Sequence, residues 1–343
     1  MTPGTAHSRL RTLLVSDGKP GHYHLAEGIC AAIARRRELE ITRIAVTRPG
    51  WLPARALSAL TNGGRMGRRT VPGALGFKVC PVPACDLVVS AGGDTLAANV
   101  ALARTYGCPN IFYGSLRRYR PDDFALVLTS YQANGGHPSH AMTLKPSAFD
   151  PATMPVRAVM TGEPPVTGLL VGGDSGTVHY AREDWERLLG LLQGAVVARS
   201  RWIVSNSRRT PDQVSDEIAR LADGSGGRVQ FIDVRREGAG TLTALFEASD
   251  RIAVSVDSSS MISEAIWARK PVVALLPRQA SLPAQEQGYR DFLAGKGWMA
   301  ELALAKVSLE AVDAQCAAVK PLVANPLDEL AGLLAERLPV LFV

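Results

Sequence analysis

The residues best suited to chemistry gather where apolar runs break into glycine. The first break is S-D-G-K-P-G-H at 16–22, directly after the apolar run RTLLV. Gly18 and Gly21 permit tight backbone angles and a close ligand approach, and the helix that follows would offer unpaired N–H groups to an anion. His22 stands where an imidazole could take a proton from a substrate hydroxyl or meet a phosphate, with Asp17 as the second catalytic candidate and Lys19 as a binding residue. The spacing is neither G-x-G-x-x-G nor G-x-x-x-x-G-K-[ST], because Lys19 precedes Gly21, so it supports neither a dinucleotide fingerprint nor a P-loop. The alternative for His22 is a surface histidine at a helix cap.

Further strand-end turns repeat the theme. V-V-S-A-G-G-D-T (88–95) offers Gly93, with Asp94 and Thr95 as helix caps or substrate contacts. L-L-V-G-G-D-S-G-T (169–177) offers Gly172, Gly173 and Ser175 to a diphosphate at a helix start; His179, just beyond, reads as packing. In A-V-S-V-D-S-S-S-M-I-S-E-A (253–265), Asp257 ends a strand, Ser258, Ser259 and Ser260 open a helix, and Glu264 lies one turn inside. Hydroxyls and free amides at a helix start suit phosphate, and a carboxylate one turn in can accept both hydroxyls of a ribose. The structural alternative is a serine N-cap with a helix-dipole glutamate. S-N-S-R-R-T-P (205–211) sets Arg208 and Arg209 before a helix opened by Thr210 and Pro211. Arg208 or Arg209 could neutralise a diphosphate, with Arg208 carried forward as the binding candidate, and a surface arginine is the equal alternative.

These turns need strands and helices to hold them. Strands are predicted at TLLVSD, EITRIAVT, LVVSAG, PNIFYG and FALVLTS, then at VTGLLVGG, RWIVSNS, RVQFIDV, RIAVSVD and PVVALLP. Helical patterns fall between them, the first starting at HLAEG. Continuous apolar strands alternating with helices imply parallel sheets covered on both faces in doubly wound α/β domains. The pattern restarts after the Pro- and Thr-rich stretch 141–167, which predicts two domains, 1–150 and 151–343. They should face a cleft at the carboxyl ends of their strands, with the last helix, NPLDELAGLLAERL, packing back on the first domain.

Composition narrows the classes. The 343 residues are 46% hydrophobic and 20% charged, enough for two folded domains. No apolar run is long enough to span a membrane, and MTPGTAHSRLRTLLV does not read as a leader, so a cytoplasmic protein is expected. Five cysteines are scattered; Cys80 and Cys85 lack the second pair or histidines that a zinc site requires. Residues 1–150 carry 18 lysines and arginines against nine acidic residues, whereas residues 151–343 carry 20 against 23. A basic first half points to an anionic partner, with clusters such as ARRRE, GRMGRRT and SLRRYR. No zinc finger, aromatic RNA-binding motif or recognition helix supports nucleic acid.

Taken together, SDGKPGHYHLAEGI, GGDSGTVHY, SNSRRTP and VSVDSSSMISEA…KPV resemble the bacterial ELM family, related to a plant mitochondrial-fission factor, over nearly the whole chain. The architecture is also similar to the GT-B glycosyltransferases, above all those that add N-acetylglucosamine to the lipid-linked peptidoglycan precursor. The shared features are a glycine turn ending in histidine, a glycine-glycine-serine turn opening the second domain, and a serine-opened helix with a glutamate. The resemblance implies a metal-independent transferase with no resident cofactor. Its donor would be a nucleoside-diphosphate sugar, expected to be UDP-linked, and its acceptor anionic or lipid-linked. On that reading Glu264 holds the ribose. Ser258, Ser259, Ser260, Gly173 and Ser175 hold the diphosphate, and Gln285 and Gln287 sit in a donor-sugar loop. Peripheral contact with the inner membrane would follow from such an acceptor. The Lys-Pro pair in the first turn and the donor loop depart from the GT-B pattern. The rivals are a noncatalytic adaptor for a membrane or protein partner, and a sugar-nucleotide epimerase using strand-end carboxylates among Asp17, Asp94 and Asp174.

Overall fold

A computed structural model describes residues 9–48, 50–64, 83–131, 136–154, 164–238 and 242–343. Cys80 and most of the GRMGRRT cluster lie outside them. The chain forms two compact units, one of residues 1–148 with 326–343 and the other of residues 149–325. The division falls two residues before the sequence boundary, and the terminal segment belongs to the first unit.

The first unit alternates β1 (Leu10–Ser16), α1 (Pro20–Ala34), β2 (Leu39–Ala45), α2 (Ala54–Asn62), β3 (Leu87–Ala91), α3 (Leu96–Tyr106), β4 (Asn110–Tyr113), β5 (Leu126–Thr129) and β6 (His140–Met142). The sheet order is β2-β1-β3-β4-β5-β6, and every pairing is parallel. β3, β4 and β5 are buried along their whole length, which is why they read as unbroken apolar runs. Leu13, Val15, Ile44, Val88, Ala98 and Ala101 share one core cluster under the sheet, and each buried aliphatic side chain of valine size or larger contributes about 2 kcal/mol. A buried polar chain threads this core. Asn110 Nδ2 donates to Asn99 Oδ1 at 2.7 Å, and Asn99 Nδ2 donates to Ser90 Oγ at 2.9 Å. It fixes α3 on β3 and β4 with its polar groups satisfied.

α1 begins at Pro20, not at His24 as the HLAEG pattern predicts. Proline fits the first helical position, where no N–H partner is needed, so Gly21 and His22 are drawn into the first turn. The helix Pro326–Arg337 packs on α1 within this unit, burying Leu327, Leu330, Ala331 and Leu334. Arg35 Nε meets Asp328 Oδ1 at 2.7 Å beside it.

The second unit contains β7 (Thr167–Leu170), β8 (Val178–His179), α4 (Arg182–Val197), β9 (Trp202–Ser205), α5 (Asp212–Gly224), β10 (Val229–Ile232), α6 (Val234–Glu237), α7 (Leu242–Ala248), β11 (Arg251–Ser255), α8 (Ser259–Trp267), β12 (Val272–Leu276), β13 (Gln279–Ala280), α9 (Ala284–Gly295), β14 (Ala300–Ala303) and α10 (Leu309–Ala318). Its main sheet runs β10-β9-β7-β11-β12-β14, again parallel throughout; β8 and β13 form a short antiparallel pair. Each sheet changes winding direction once, between β1 and β3 and between β7 and β11. Turns at the carboxyl ends of those neighbours are where ligands of open α/β sheets bind.

Candidate functional site

In the first unit both candidate turns meet at the β1/β3 switch. Asp17 leaves β1 with its side chain 3% exposed, and its Oδ2 lies 2.8 Å from His22 Nδ1. A carboxylate accepts from Nδ1–H, which leaves Nε2 as the nitrogen able to take a proton. Gly92 explains why the imidazole fits: its φ is +90°, and any Cβ there would collide with the His22 ring. Lys19 Nζ reaches Asp94 Oδ2 at 2.9 Å and Asp17 Oδ2 at 3.5 Å, and Arg48 Nε lies 3.5 Å from Asp94 Oδ1. Lys19 holds the Asp94 carboxyl below its ordinary range, and Asp94 raises the Lys19 ammonium in turn. Two carboxylates, two cations and an imidazole thus interlock across β1, β2 and β3.

Three sequence expectations change here. The N–H groups of Gly18 and Lys19 are not open to an anion, because they donate to Ser16 Oγ at 3.0 Å and Asp17 Oδ1 at 3.2 Å. Thr95 is fully buried and donates to the Ala91 and Gly92 carbonyls. It locks the turn and presents nothing to a substrate. Gly93 does make a close approach, but to a side chain: a Cβ there would strike the guanidinium of Arg117. A pocket of about 360 Å³ opens beside Gly93 and Asp94, with Arg48, Arg55, Arg117 and Tyr119 in its lining. None of those four was selected from the sequence; the SLRRYR cluster was the only signal for two of them.

In the second unit the GGDSG turn and the Asp257–Ser260 turn lie at the ends of neighbouring strands. Asp257 has no exposed side-chain surface, and three groups reach it. Arg209 Nη2 lies at 2.5 Å, Ser255 Oγ donates at 2.8 Å, and the Tyr180 hydroxyl donates at 3.3 Å. Burial, with Asp257 beside it, pushes the Tyr180 phenol up, so it stays a neutral donor. A Cβ on Gly172 would collide with the Asp257 carboxylate, and one on Gly173 with the Arg209 carbonyl. These glycines therefore serve packing within the turn. Arg209, not Arg208, makes the ion pair; Arg208 is exposed beside it. Ser175 Oγ accepts from the Val178 N–H at 3.2 Å and closes its own loop.

Ser258 caps α8, accepting from the Met261 N–H at 3.4 Å. Ser259 Oγ donates to Glu286, while Ser260 is exposed and Glu264 is half-buried on the second turn. Beneath this turn lies a residue missed from the sequence: Arg290, 2% exposed, donates Nη2 to the Val256 carbonyl, and its buried Nη1 has no hydrogen-bond partner. Its signal was weak, since one arginine inside an amphipathic helix usually faces solvent. Gln285 and Gln287 are exposed on the first turn of α9 instead of a loop, and Gln287 Nε2 donates to Asp291 at 2.8 Å. Among the described residues no group of three or more His, Cys, Asp or Glu is placed to hold a metal ion. No helix there is long and apolar enough to cross a membrane.

No curated protein matches the chain by sequence. Among solved structures, Acinetobacter baumannii MurG superposes with a TM-score of 0.52 at 14% identity, covering 95% of this chain and 99% of its own. The glycotransferase of kitacinnamycin gives 0.52 at 12%, covering 98% and 96%. The UDP-GlcNAc 2-epimerase from Neisseria meningitidis, bound to UDP-GlcNAc, gives 0.55 at 10%, covering 97% and 100%. At these identities the likeness is one of fold, the GT-B architecture of two α/β units. Residues 20–331 match the sequence profile of a family described as mitochondrial fission ELM1, and over that span the chain belongs to it.

Proposed function

We propose that this protein is a glycosyltransferase that works without a metal or resident cofactor. Its second unit binds a nucleoside-diphosphate sugar, taken to be a UDP sugar, and its first unit binds the acceptor. The observation that carries this reading is the His22–Asp17 pair. A histidine oriented by a buried carboxylate, with Nε2 left to accept, is the arrangement a general base needs. The acceptor hydroxyl would lose its proton to Nε2 as its oxygen attacks the anomeric carbon. The bond from that carbon to the β-phosphate oxygen breaks, and the nucleoside diphosphate leaves with the electron pair.

The leaving charge would fall at the start of α8. Ser258 and Ser259 approach it there, the helix N-terminus favours an anion, and Arg290 lies buried below. Arg209 is the nearby cation, at present neutralised by Asp257, and Arg208 is free to approach. Glu264, one turn along, suits the ribose hydroxyls. Fixed donors of this kind can replace a metal in stabilising a leaving diphosphate.

An epimerase is the second reading, favoured by the fold likeness to the Neisseria enzyme. Its requirement for poised carboxylates is the weaker fit. Asp17 and Asp94 are tied to Lys19, and Asp174 Oδ1 accepts from the Tyr180 N–H at 2.9 Å.

The test is a thermal-shift screen with UDP and UDP sugars on the wild type and Glu264→Ala. A ligand at 100 times its Kd stabilises by about 2.7 kcal/mol. A raised midpoint that is lost in the variant supports the donor site. No response to any nucleotide, in folded protein, overturns the reading in favour of an adaptor. With a nucleotide-sugar hit in hand, conversion of the donor to its epimer without an acceptor would select the epimerase.

A further inference from the structure

The pocket beside Asp94 has an unusual lining. Arg48, Gly93 and Arg117 come from the segments that leave β2, β3 and β4, so it sits at the carboxyl edge of the first sheet. Pro53, Ala54 and Leu57 make an apolar wall along the start of α2. Arg55, Arg117 and Arg118 surround it, and among the described residues no carboxylate lies within ion-pair distance of any of the three. The one acid in the lining, Asp94, is already held by Lys19 and Arg48.

Two features show that the position of Arg117 is built. Its φ is +54°, a conformation that residues other than glycine rarely adopt. Its guanidinium rests against Gly93, where any Cβ would displace it. Tyr119 completes the lining, and burial pushes its phenol up to about 12. Uncompensated arginines around a concave, partly apolar surface favour an anion. Planar guanidinium forks pair bidentately with phosphate oxygens, and a phosphate has enough oxygens to engage several of them at once.

We propose that this pocket binds a phosphate ester, its phosphate on Arg55, Arg117 and Arg118 and its carbon part along Pro53, Ala54 and Leu57. It rests on the transferase reading only in making that ester the acceptor; the binding itself requires no catalysis. The ester is either soluble or the headgroup of a lipid, and the experiment separates the two.

The probe is phenyl phosphate, titrated by calorimetry into the full chain and into Arg55→Gln/Arg117→Gln. Both arginines are exposed, so the variant should unfold at the wild-type midpoint. Saturable binding that weakens at least tenfold in the variant is the expected result. Equal affinity in both proteins, or no saturable binding to the wild type, overturns the proposal. Arg118→Gln, alone, should also weaken binding and checks the result should the double variant misfold. Cosedimentation with vesicles of phosphatidylcholine containing phosphatidic acid, against phosphatidylcholine alone, then reads the source. Vesicle binding lost in the variant assigns the phosphate to a lipid, whereas no vesicle binding by the wild type assigns it to a soluble ester. UDP titration of the wild type and of Glu264→Ala reports on the other unit. If the wild type does not bind UDP while the arginine variant loses phenyl phosphate, the donor reading falls and the phosphate pocket stands; wild-type UDP binding that is lost in Glu264→Ala, with phenyl phosphate binding equal in the arginine variant, removes the pocket and leaves the donor site.

Discussion

His22 owes its place to two neighbours, and each can be tested by one substitution. Asp17→Asn keeps the shape but no longer favours an Nδ1 proton, so turnover should fall by roughly 100-fold or more, with donor binding unchanged. UDP release from the donor would read the first, and the nucleotide thermal shift the second. Gly92→Ala is expected to lose turnover for a steric reason, because its Cβ occupies the space of the imidazole. It should also lower stability by about 1 kcal/mol, the cost of a side chain at positive φ; a thermal midpoint equal to wild type would contradict this. At this scale the sequence displayed His22 and Asp17 plainly, because they share one turn. It did not display Arg48, Arg117 or Arg290. Their roles come from contacts between segments far apart in the chain, such as Arg48 with Asp94 or Arg290 with Val256, and no local pattern encodes those.

The elements were more legible than the side chains between them. Buried parallel strands announce themselves as apolar runs, so β1, β3, β4, β5, β7, β9, β11 and β12 were all visible. β6 and β14, at the sheet edges, were not: HAM is three residues long, and AELA buries only Leu302. α1 packs so closely on the segment before the second unit that a Cβ on Gly28 would lie 2.5 Å from the Ser147 backbone nitrogen. Backbone cannot step aside as a side chain can, so Gly28→Ala should cost about 2 kcal/mol; denaturant unfolding measures it. A second element-level effect appears on acidification. Arg235, with Asn206 and the Arg235 N–H, holds the Asp233 carboxyl down to about 2 from an ordinary value of 3.8. The folded state therefore resists this proton more than the unfolded chain does. The stabilisation is complete above the unfolded value and fades as pH falls from about 4 through 2. Asp233→Asn should flatten that part of the acid limb and lower stability at neutral pH by roughly 2 kcal/mol. An unchanged acid limb would contradict this.

At the scale of the molecule, the composition and the restart of the pattern after residues 141–167 were enough to expect two α/β domains. The sequence led us to expect the last helix to pack back on the first domain, but not that α1 is the element it covers. Removal of the last helix is a strong test. Deleting residues 326–343 uncovers the face of α1 that Leu327, Leu330 and Leu334 cover. The loss, on the order of 5 kcal/mol, rivals the net stability of a typical domain. Hydrogen exchange should then show residues 9–148 unprotected and residues 164–325 unchanged. Uniform loss across both units would show that they unfold together.

The same returning helix has a consequence for synthesis on the ribosome. Residues 149–325 sit in the chain as an insertion, and Asn325 Nδ2 donates to Asp150 Oδ1 at 2.7 Å, bringing the insertion's two ends together. The inserted unit has all its strands once residue 303 has emerged, whereas the earlier-made unit must wait for residue 337. The order of completion is thus the reverse of the order of translation. During that interval the nascent chain displays the bare apolar face of α1, the interval in which a chaperone or a misplaced neighbour would find it.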